Sequence, residues 1–375
     1  MYQQGISVVV PTEGRLEFLQ ELLESLTVAR TSSPVEAEVI VVDSTQEPDM
    51  SRVKEAAFRF GAAYLDGSRD VRAKRNAGVA AARYSVVLFI DSDCQAASDL
   101  LAAHWRALAV DDRSVGGAAG LTSFVGEAGP AWRLVEGTSL VAQFSAPTAG
   151  ADLRWAPCCN LSYKHQVLDE IGPFDTSLPH RLGGDDLDLS LRMTSAGYRL
   201  VSCPEAVVHH SRRTWNNMRA VLGRAYRWGR MHYHLLSRHP HARAPAAPSF
   251  WVWAILLTLV WTIAAALTHN PFILATIPAW FAASLLLFAV FDAAGAPSGG
   301  RARAVGRSLR GAIPELCFVL GTTVESIRHG DPRFIWSRLD IDDDATSMLR
   351  AAALDSWSNT IAAALCTLLA VVLAR

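Results

Sequence analysis

Between Phe250 and Phe291 the chain carries no Asp, Glu, Lys or Arg, and one short break, Thr268-His269-Asn270-Pro271, divides it into two apolar runs. Phe250–Thr268 and Phe272–Phe291 are each about 19–20 residues, close to the ~20 needed to cross ~30 Å of hydrocarbon. The pair reads as a transmembrane hairpin; the alternative is a pair of buried core helices. A third run, Asn359–Ala374, is about 16 residues and reads as a further, shorter span. Trp251, Trp253, Trp261 and Trp280 include candidate interface anchors. The 292–357 segment is rich in Arg (Arg301, Arg303, Arg307, Arg310, Arg328, Arg333, Arg338, Arg350) and the hairpin tip has no Lys or Arg. The positive-inside rule therefore sets the N-terminal part on the cytoplasmic side of a multi-pass cell-membrane protein. Its opening, MYQQGISVVVP, has no cationic stretch followed by a long apolar one, so no signal peptide is expected.

The expected organisation is a soluble domain over 1–211 and a basic amphipathic interfacial helix with its linker over 212–248. A transmembrane hairpin over 249–291, a cytoplasmic loop over 292–357 and a C-terminal transmembrane helix over 358–375 follow. Within the loop, Ile313–Thr323, interrupted by Pro314 and Glu315, reads as a membrane-surface or re-entrant element. Arg212–Arg238 interleaves arginines with Trp215, Tyr226, Trp228 and Tyr233, the pattern of a helix lying on anionic headgroups. An ordinary surface helix packed on the domain is the competing reading. Pro240–Pro248 reads as a linker.

Composition excludes two classes. Half of the residues are hydrophobic and the net charge is -1, which rules out disorder. That balance offers no global basic excess for a nucleic-acid partner. The 6 cysteines include no C-x-x-C pair, so a cysteine zinc site or disulfide scaffold is not expected and a reducing compartment suits the chain.

In the soluble part, Ile6–Val10, Val39–Val42 and Val86–Ile90 are continuous β-branched runs separated by amphipathic segments Leu16–Leu26, Met50–Phe60 and Asp70–Arg83. Strands buried on both faces and alternating with helices indicate an α/β fold: a three-layer domain with a mostly parallel mixed sheet, followed by the C-terminal transmembrane helical region. Ligands of such sheets gather beyond the C-terminal strand ends. There the chain places Pro11-Thr12-Glu13, Asp43-Ser44 and Asp91-Ser92-Asp93. Residues i and i+2 of an extended backbone point the same way, so Asp91 and Asp93 are expected to converge. Two carboxylates in that setting call for a cation between or beside them, and oxygen ligation suits Mg2+ or Mn2+ sharing its shell with phosphates. No G-x-G-x-x-G follows the first strand and no Walker A motif occurs, which disfavours a dinucleotide or P-loop site. Farther on, Gly183-Gly184-Asp185-Asp186 opens a helix whose dipole favours acidic groups. A carboxylate there serves either as a general base for an acceptor hydroxyl or simply as a first-turn acid.

Six segments in order, SVVVPTEGR, VIVVDS, RNAGVAAARYSVVLFIDSD, NLSYKHQVLDEIGPFD, DDLDLSLRMTSAGY and VVHH, resemble glycosyltransferase family 2, the inverting enzymes of the GT-A fold. The resemblance covers about residues 5–230. It implies a nucleotide-diphosphate sugar donor, with Pro11, Thr12, Glu13, Asp43, Arg75, Asp91 and Ser92 around the nucleotide and Asp43 accepting from the base. It implies Asp93 as direct metal ligand, Asp91 as ribose or metal-water contact, and His209 or His210 completing the shell of Mn2+ or Mg2+. Asp186 stands on the second position of the family's E-D pair as the base, with Asp185 as the alternative. Arg75 is either a diphosphate contact or an exposed helix residue. The chain departs from the family at Glu13-Gly14, where an aromatic-Asn pair is common, and at Asp43-Ser44, where a double acid is usual.

The expected reaction is transfer of one sugar to a hydroxyl of a membrane-proximal or lipid-linked acceptor, with membrane lipids as surroundings. A processive polysaccharide synthase is one alternative; Arg224-Ala225-Tyr226-Arg227-Trp228 matches its Q-x-x-R-W only in part. A catalytically silent sugar-nucleotide-binding membrane scaffold is the other. Leu236–Pro240 is similar to a stretch of the mycofactocin glycosyltransferases, too short to assign an acceptor.

Overall fold

The computed structural model describes residues 2–246, 248–293, 301–341 and 345–373. They form two compact units, Met1–Ala128 with Val141–Asn216, and Gly129–Leu140 with Asn217–Arg375.

The first unit is built on β1 (Gln3–Thr12), β2 (Ala37–Asp43), β3 (Ala63–Asp66), β4 (Tyr84–Phe89), β5 (Cys94–Ala96), β6 (Val115–Val125), β7 (Leu161–Lys164) and β8 (Arg199–Ser211). These make one 8-stranded sheet in the order β3-β2-β1-β4-β7-β6-β8-β5. The first four are mutually parallel, β7 is antiparallel to β4 and β6, β6 and β8 are parallel, and β5 is antiparallel to β8. Helices α1 (Leu16–Thr31), α2 (Asp49–Arg59), α3 (Val71–Ala81) and α4 (Leu100–Leu108) connect the strands. Helices α7 (His165–Ile171) and α8 (Asp185–Ser195) complete the unit, while of the short turns after β6, α5 (Trp132–Val135) belongs to the second unit and α6 (Ser139–Ala142) lies at the boundary.

Alternation along β1 shows why three layers form. Ile6, Val8 and Val10 pack on one face with Leu19, Leu22, Leu23 and Leu26 of α1. Val9 enters a separate core on the other face with Val87, Phe89, Tyr163 and Phe174. α3 lies flush on the second face because Gly78 has no side chain; a Cβ there would collide with Val9. The first turns of α3 are thereby held at the sheet's polar rim.

The second unit contains α9 (Met218–Arg238), α10 (Phe250–Thr268), α11 (Thr276–Ala293), α12 (Arg301–Arg328) and α13 (Ala345–Leu373). α9 begins with Asn217, whose side chain accepts from the Ala220 N–H at 2.9 Å, and buries Val221, Ala225, Gly229, Met231 and Leu235. Its apolar stripe packs on α12 so closely that a Cβ at Gly229 would strike the Phe318 carbonyl, and one at Gly321 the Tyr226 carbonyl. Partial match or not, the Arg224–Trp228 segment is thus built into a helix pair.

Several expectations need correction here. Ile313–Thr323 is the middle of a 28-residue helix, not a separate short element. Pro314 removes one backbone donor without ending that helix, and Glu315 accepts from Ser139 N at 3.1 Å and Ser139 Oγ at 2.6 Å. The 292–357 loop is largely helical, comprising α12 and the start of α13, with 294–300 and 342–344 outside the described residues. The apolar run Asn359–Ala374 forms the second half of α13, its last residue lying outside the described residues. Inside the linker Pro240–Pro248, β9 (Arg243–Pro245) pairs antiparallel with β10 (Ser337–Leu339). Trp261 and Trp280 are buried among α10, α11 and α13 rather than placed as interface anchors.

Candidate active site

The C-terminal ends of β1, β2 and β4 gather the polar residues that the sequence marks. Pro11 and Thr12 close β1 and are buried, while Glu13 is exposed and faces Arg69 Nε at 3.3 Å. β4 ends at Phe89, and the chain then turns, with Cys94 N donating to the Asp91 carbonyl at 3.1 Å. The backbone from Asp91 to Asp93 is therefore a turn rather than the extended strand end expected from the sequence, and the two carboxylates meet different protein partners. An extended backbone would have aligned them; the turn divides them between two partners. Ser92 is buried between them.

Asp91 belongs to a cluster centred on Arg75. The Arg75 guanidinium is buried, donating through Nη2 to Asp91 Oδ1 at 3.1 Å and through Nη1 to Asp185 Oδ2. The reading of Arg75 as an exposed helix residue is therefore excluded. Gly183 and Gly184, with φ of 80° and 76°, turn the chain into α8 so that Asp185 and Asp186 occupy its first turn. Asp186 is half-buried, and its Oδ1 accepts from Leu187 N at 2.9 Å. Burial and the neighbouring Asp185 carboxylate push its carboxyl up to about 7, against the opposing pull of Arg75 and two backbone N–H donors. The two acids thus differ: Asp185 is neutralised by Arg75, and Asp186 holds a proton near neutrality.

Asp93 lies in the second cluster. Its Oδ2 accepts from Arg15 Nη1 at 2.9 Å, and its Oδ1 is 3.6 Å from His210 Nε2. Burial alone would raise the Asp93 carboxyl, but His210, Arg15 and a hydrogen bond from Thr214 hold it below the usual carboxylate range. The register of β5 on β8, Cys94 opposite His210 and Gln95 opposite His209, decides which histidine faces Asp93. His209 turns the other way and bonds Ser123 Oγ at 2.7 Å. His210 is packed against Phe124, ring centroids 5.1 Å apart. Donor atoms of Asp93, Cys94 and His210 lie within 4.8 Å of one another. Burial and Cys159 push the Cys94 thiol well up, so it stays protonated. The remaining carboxylate and imidazole form a set that could hold Mn2+ or Mg2+.

Asp43 stands apart from both clusters. Wholly buried, its Oδ1 accepts from Thr45 N at 2.9 Å and Thr45 Oγ1 at 2.6 Å, and its Oδ2 from Tyr64 OH at 3.1 Å. Thr45 Oγ1 in turn accepts from Gly14 N at 2.7 Å, tying the loop after β1 to the loop after β2. At the same rim, Thr12 Oγ1, Ser44 Oγ and Arg75 Nε are buried with no hydrogen-bond partner among the described residues. Buried polar atoms left unpaired are costly, and a ligand with polar oxygens would satisfy them.

A family model for glycosyl transferase family 2 matches residues 7–141, and one for glycosyl transferase family group 2 matches 86–292, more than half of the chain. The chain belongs to glycosyltransferase family 2. This family 2 glycosyltransferase is 25% identical over 226 residues to glycosyltransferase AglE of Haloferax volcanii, covering 57% of this chain and 69% of that one. It is 27% identical over 268 residues to the pre-mycofactocin glycosyltransferase of Mycobacterium tuberculosis, covering 64% of this chain and 50% of the relative. The chain thus spans only half the length of that mycobacterial protein. Its fold is that of the Pyrobaculum calidifontis mannosyltransferase PcManGT, solved with GDP-Man and Mn2+, with a TM-score of 0.53 at 20% identity over 88% of this chain and 89% of that one.

Three basic residues at the rim of this glycosyltransferase escaped the motif reading. Arg15 holds Asp93. Lys74 is buried and donates to the Thr12 carbonyl at 2.6 Å, its ammonium pKa lowered by burial. Arg72, also buried, pairs with the helix-capping Asp70 at 2.7 Å and donates to the Leu178 carbonyl at 2.6 Å. A signal was available: Arg72, Lys74 and Arg75 crowd the N-terminal turns of α3, where the helix dipole repels cations. Such residues need external partners.

Proposed function

We propose that this glycosyltransferase moves one sugar from a nucleoside diphosphate sugar to a hydroxyl of a membrane-proximal or lipid-linked acceptor, by a single inverting displacement that depends on Mn2+ or Mg2+. One observation carries the reading: Asp186 stands in the first turn of α8 at the sheet's polar rim, beside an Asp185 carboxylate that shares Arg75 with Asp91, and burial with that neighbour pushes its carboxyl up to about 7. General bases act best when their pKa lies near the working pH. Asp186 accepts the proton from the acceptor hydroxyl as that oxygen attacks the anomeric carbon. Arg75 bonds both Asp91 and Asp185 beside the base, and its unpaired Nε, with Thr12 Oγ1 and Ser44 Oγ, suits phosphate and ribose oxygens. Asp93 and His210 would hold the divalent ion, and Arg15 pairs with the Asp93 carboxylate beside them. When bound, that ion offsets charge on the departing diphosphate. The inverting course follows the family resemblance, and GDP-mannose is the first donor to try because PcManGT was solved with GDP-Man.

The setting is the cell membrane, multi-pass, with the α/β unit on the cytoplasmic side. Phe250–Thr268 and Pro271–Phe291, of 19 and 21 residues, are long and apolar enough to cross a bilayer. Ile255, Leu256, Leu259, Val260 and Ile263 of α10 are exposed, a face that suits lipid.

The test uses the full chain in lipid nanodiscs with GDP-mannose, other nucleotide sugars and Mn2+. Release of nucleoside diphosphate with inverted anomeric configuration in the product is the expected outcome. Retained configuration, or tight donor binding with no turnover in any acceptor mixture, contradicts it. Asp93→Ala should weaken Mn2+-supported donor binding at least ~10-fold in calorimetry, since even the loss of an outer-shell partner of a metal site costs about that much.

A further inference from the structure

The second unit holds a polar cluster that sugar transfer leaves unused. Glu325 of α12 is buried, 5% exposed. Two imidazole nitrogens close on the same one of its oxygens: His234 Nε2, from α9, stands 3.2 Å from Oε1, and His329 Nε2, one helical turn along α12, stands 3.6 Å from it. All three donor atoms lie within 4.8 Å of one another. Ligands at ~2.0–2.1 Å from a tetrahedral ion stand about 3.3 Å apart, so two edges of this triangle already have nearly that length.

The surroundings brace the ligands rather than fill the centre. Arg230 Nε donates to the other carboxylate oxygen, Oε2, at 2.6 Å, with its Nη2 3.4 Å from Oε1, and Arg328 Nη1 is 3.7 Å from Oε2. The His329 ring stacks on Tyr233, centroids 4.9 Å apart at 16°. Thr322 Oγ1 donates to the Gly229 carbonyl at 2.8 Å, fixing α12 against α9 beside the cluster. Partners that orient a ligating carboxylate and imidazole are the ordinary support of a metal site.

We propose that His234, Glu325 and His329 bind one Zn2+ ion, with water in the fourth position, and that this ion clips α9 to α12. Two imidazoles and one carboxylate select zinc over Mg2+, which prefers an all-oxygen shell. No cysteine takes part, so cysteine spacing carried no sign of the site. Its chemistry is separate from that of Asp93 and His210, and so is its test.

The experiment compares metal-stripped full-length protein in detergent with His234→Gln and His329→Gln variants, reading zinc stoichiometry, Co2+ absorption and thermal unfolding. The wild type should bind one more zinc equivalent than either variant. Its Co2+ form should show the intense visible bands of four-coordinate cobalt, and zinc should raise its Tm by at least ~3 °C. Zinc taken up at Asp93 and His210 would occur in all three proteins and cancels in the difference. Equal zinc uptake by wild type and variants, or the pale spectrum of six-coordinate cobalt in the wild type, overturns the proposal. Should a variant fail to fold, the Co2+ form of Asp93→Ala, which lacks the other divalent site, decides: four-coordinate bands that persist support the proposal, and their loss overturns it.

Discussion

In the α/β unit apolar side chains face two internal layers and the ionisable groups collect at one rim, whereas in the helical unit the arrangement is turned outward. There Leu256, Leu259, Val260, Leu365, Leu368 and Leu369 are exposed, while Ala254, Ala265, Ala362, Ala363 and Ala370 are buried together with Phe250, Leu257, Trp261, Ile273, Trp280 and Cys366. Small residues between helices and branched ones exposed fit the membrane setting proposed above. The contrast teaches where each unit's stability resides. The first packs two apolar layers and confines its charge pairs to the rim, and the second brings helix backbones into close approach at Gly229 and Gly321.

The largest effect on this contrast should come from Arg75→Met. Removing one partner of a buried ion cluster costs ~3–5 kcal/mol, and here it strands Asp91 and Asp185 beside Asp186. With the cation gone, the Asp186 carboxyl loses its lowering partner and rises further above its unfolded value. The variant should therefore lose most stability above pH 7 and recover as pH falls toward the unfolded carboxyl range, read as denaturant midpoints across pH. A loss independent of pH would break the charge-balance half of the comparison.

A charge on the outward face of α10 should come next. Leu259→Arg is expected to cost ~2.5–3.5 kcal/mol of membrane insertion, seen as protein lost from the membrane fraction, with donor binding by the soluble material retained. Smallest is Gly229→Ala, whose methyl meets the Phe318 carbonyl. Overpacking of that kind costs ~1–3 kcal/mol and should lower the thermal midpoint of the helical unit. Unchanged unfolding would mean that close approach of α9 and α12 contributes little.

The sequence carried the first unit further than the second. Continuous β-branched runs announce buried strands, and Ile6–Val10, Val39–Val42 and Val86–Ile90 lie in β1, β2 and the β4 region. What periodicity could not show was the turn after Phe89, which gives Asp91 and Asp93 different partners, because a polar turn and an extended D-x-D have the same letters. The choice between His209 and His210 also needed the strand partner, since adjacent strand residues face opposite ways. In the second unit α12 was hidden by Pro314 and Glu315, both read as interruptions. Glu315 finds its partner at Ser139, a contact too distant in sequence for any local pattern to reveal.

The central claim is that Asp186 is a base tuned by its surroundings, and the pH dependence of kcat tests it most directly. Wild-type kcat should climb through a midpoint at about 7, because the carboxyl must lose its proton before it can accept one. In Asp186→Asn that limb should vanish along with ~10²–10⁴-fold of the rate, while calorimetry shows donor affinity within about threefold of wild type, as removal of a group acting only in the transition state requires. An Asn variant that turns over at the wild-type rate, or keeps the same pH limb, would contradict the account.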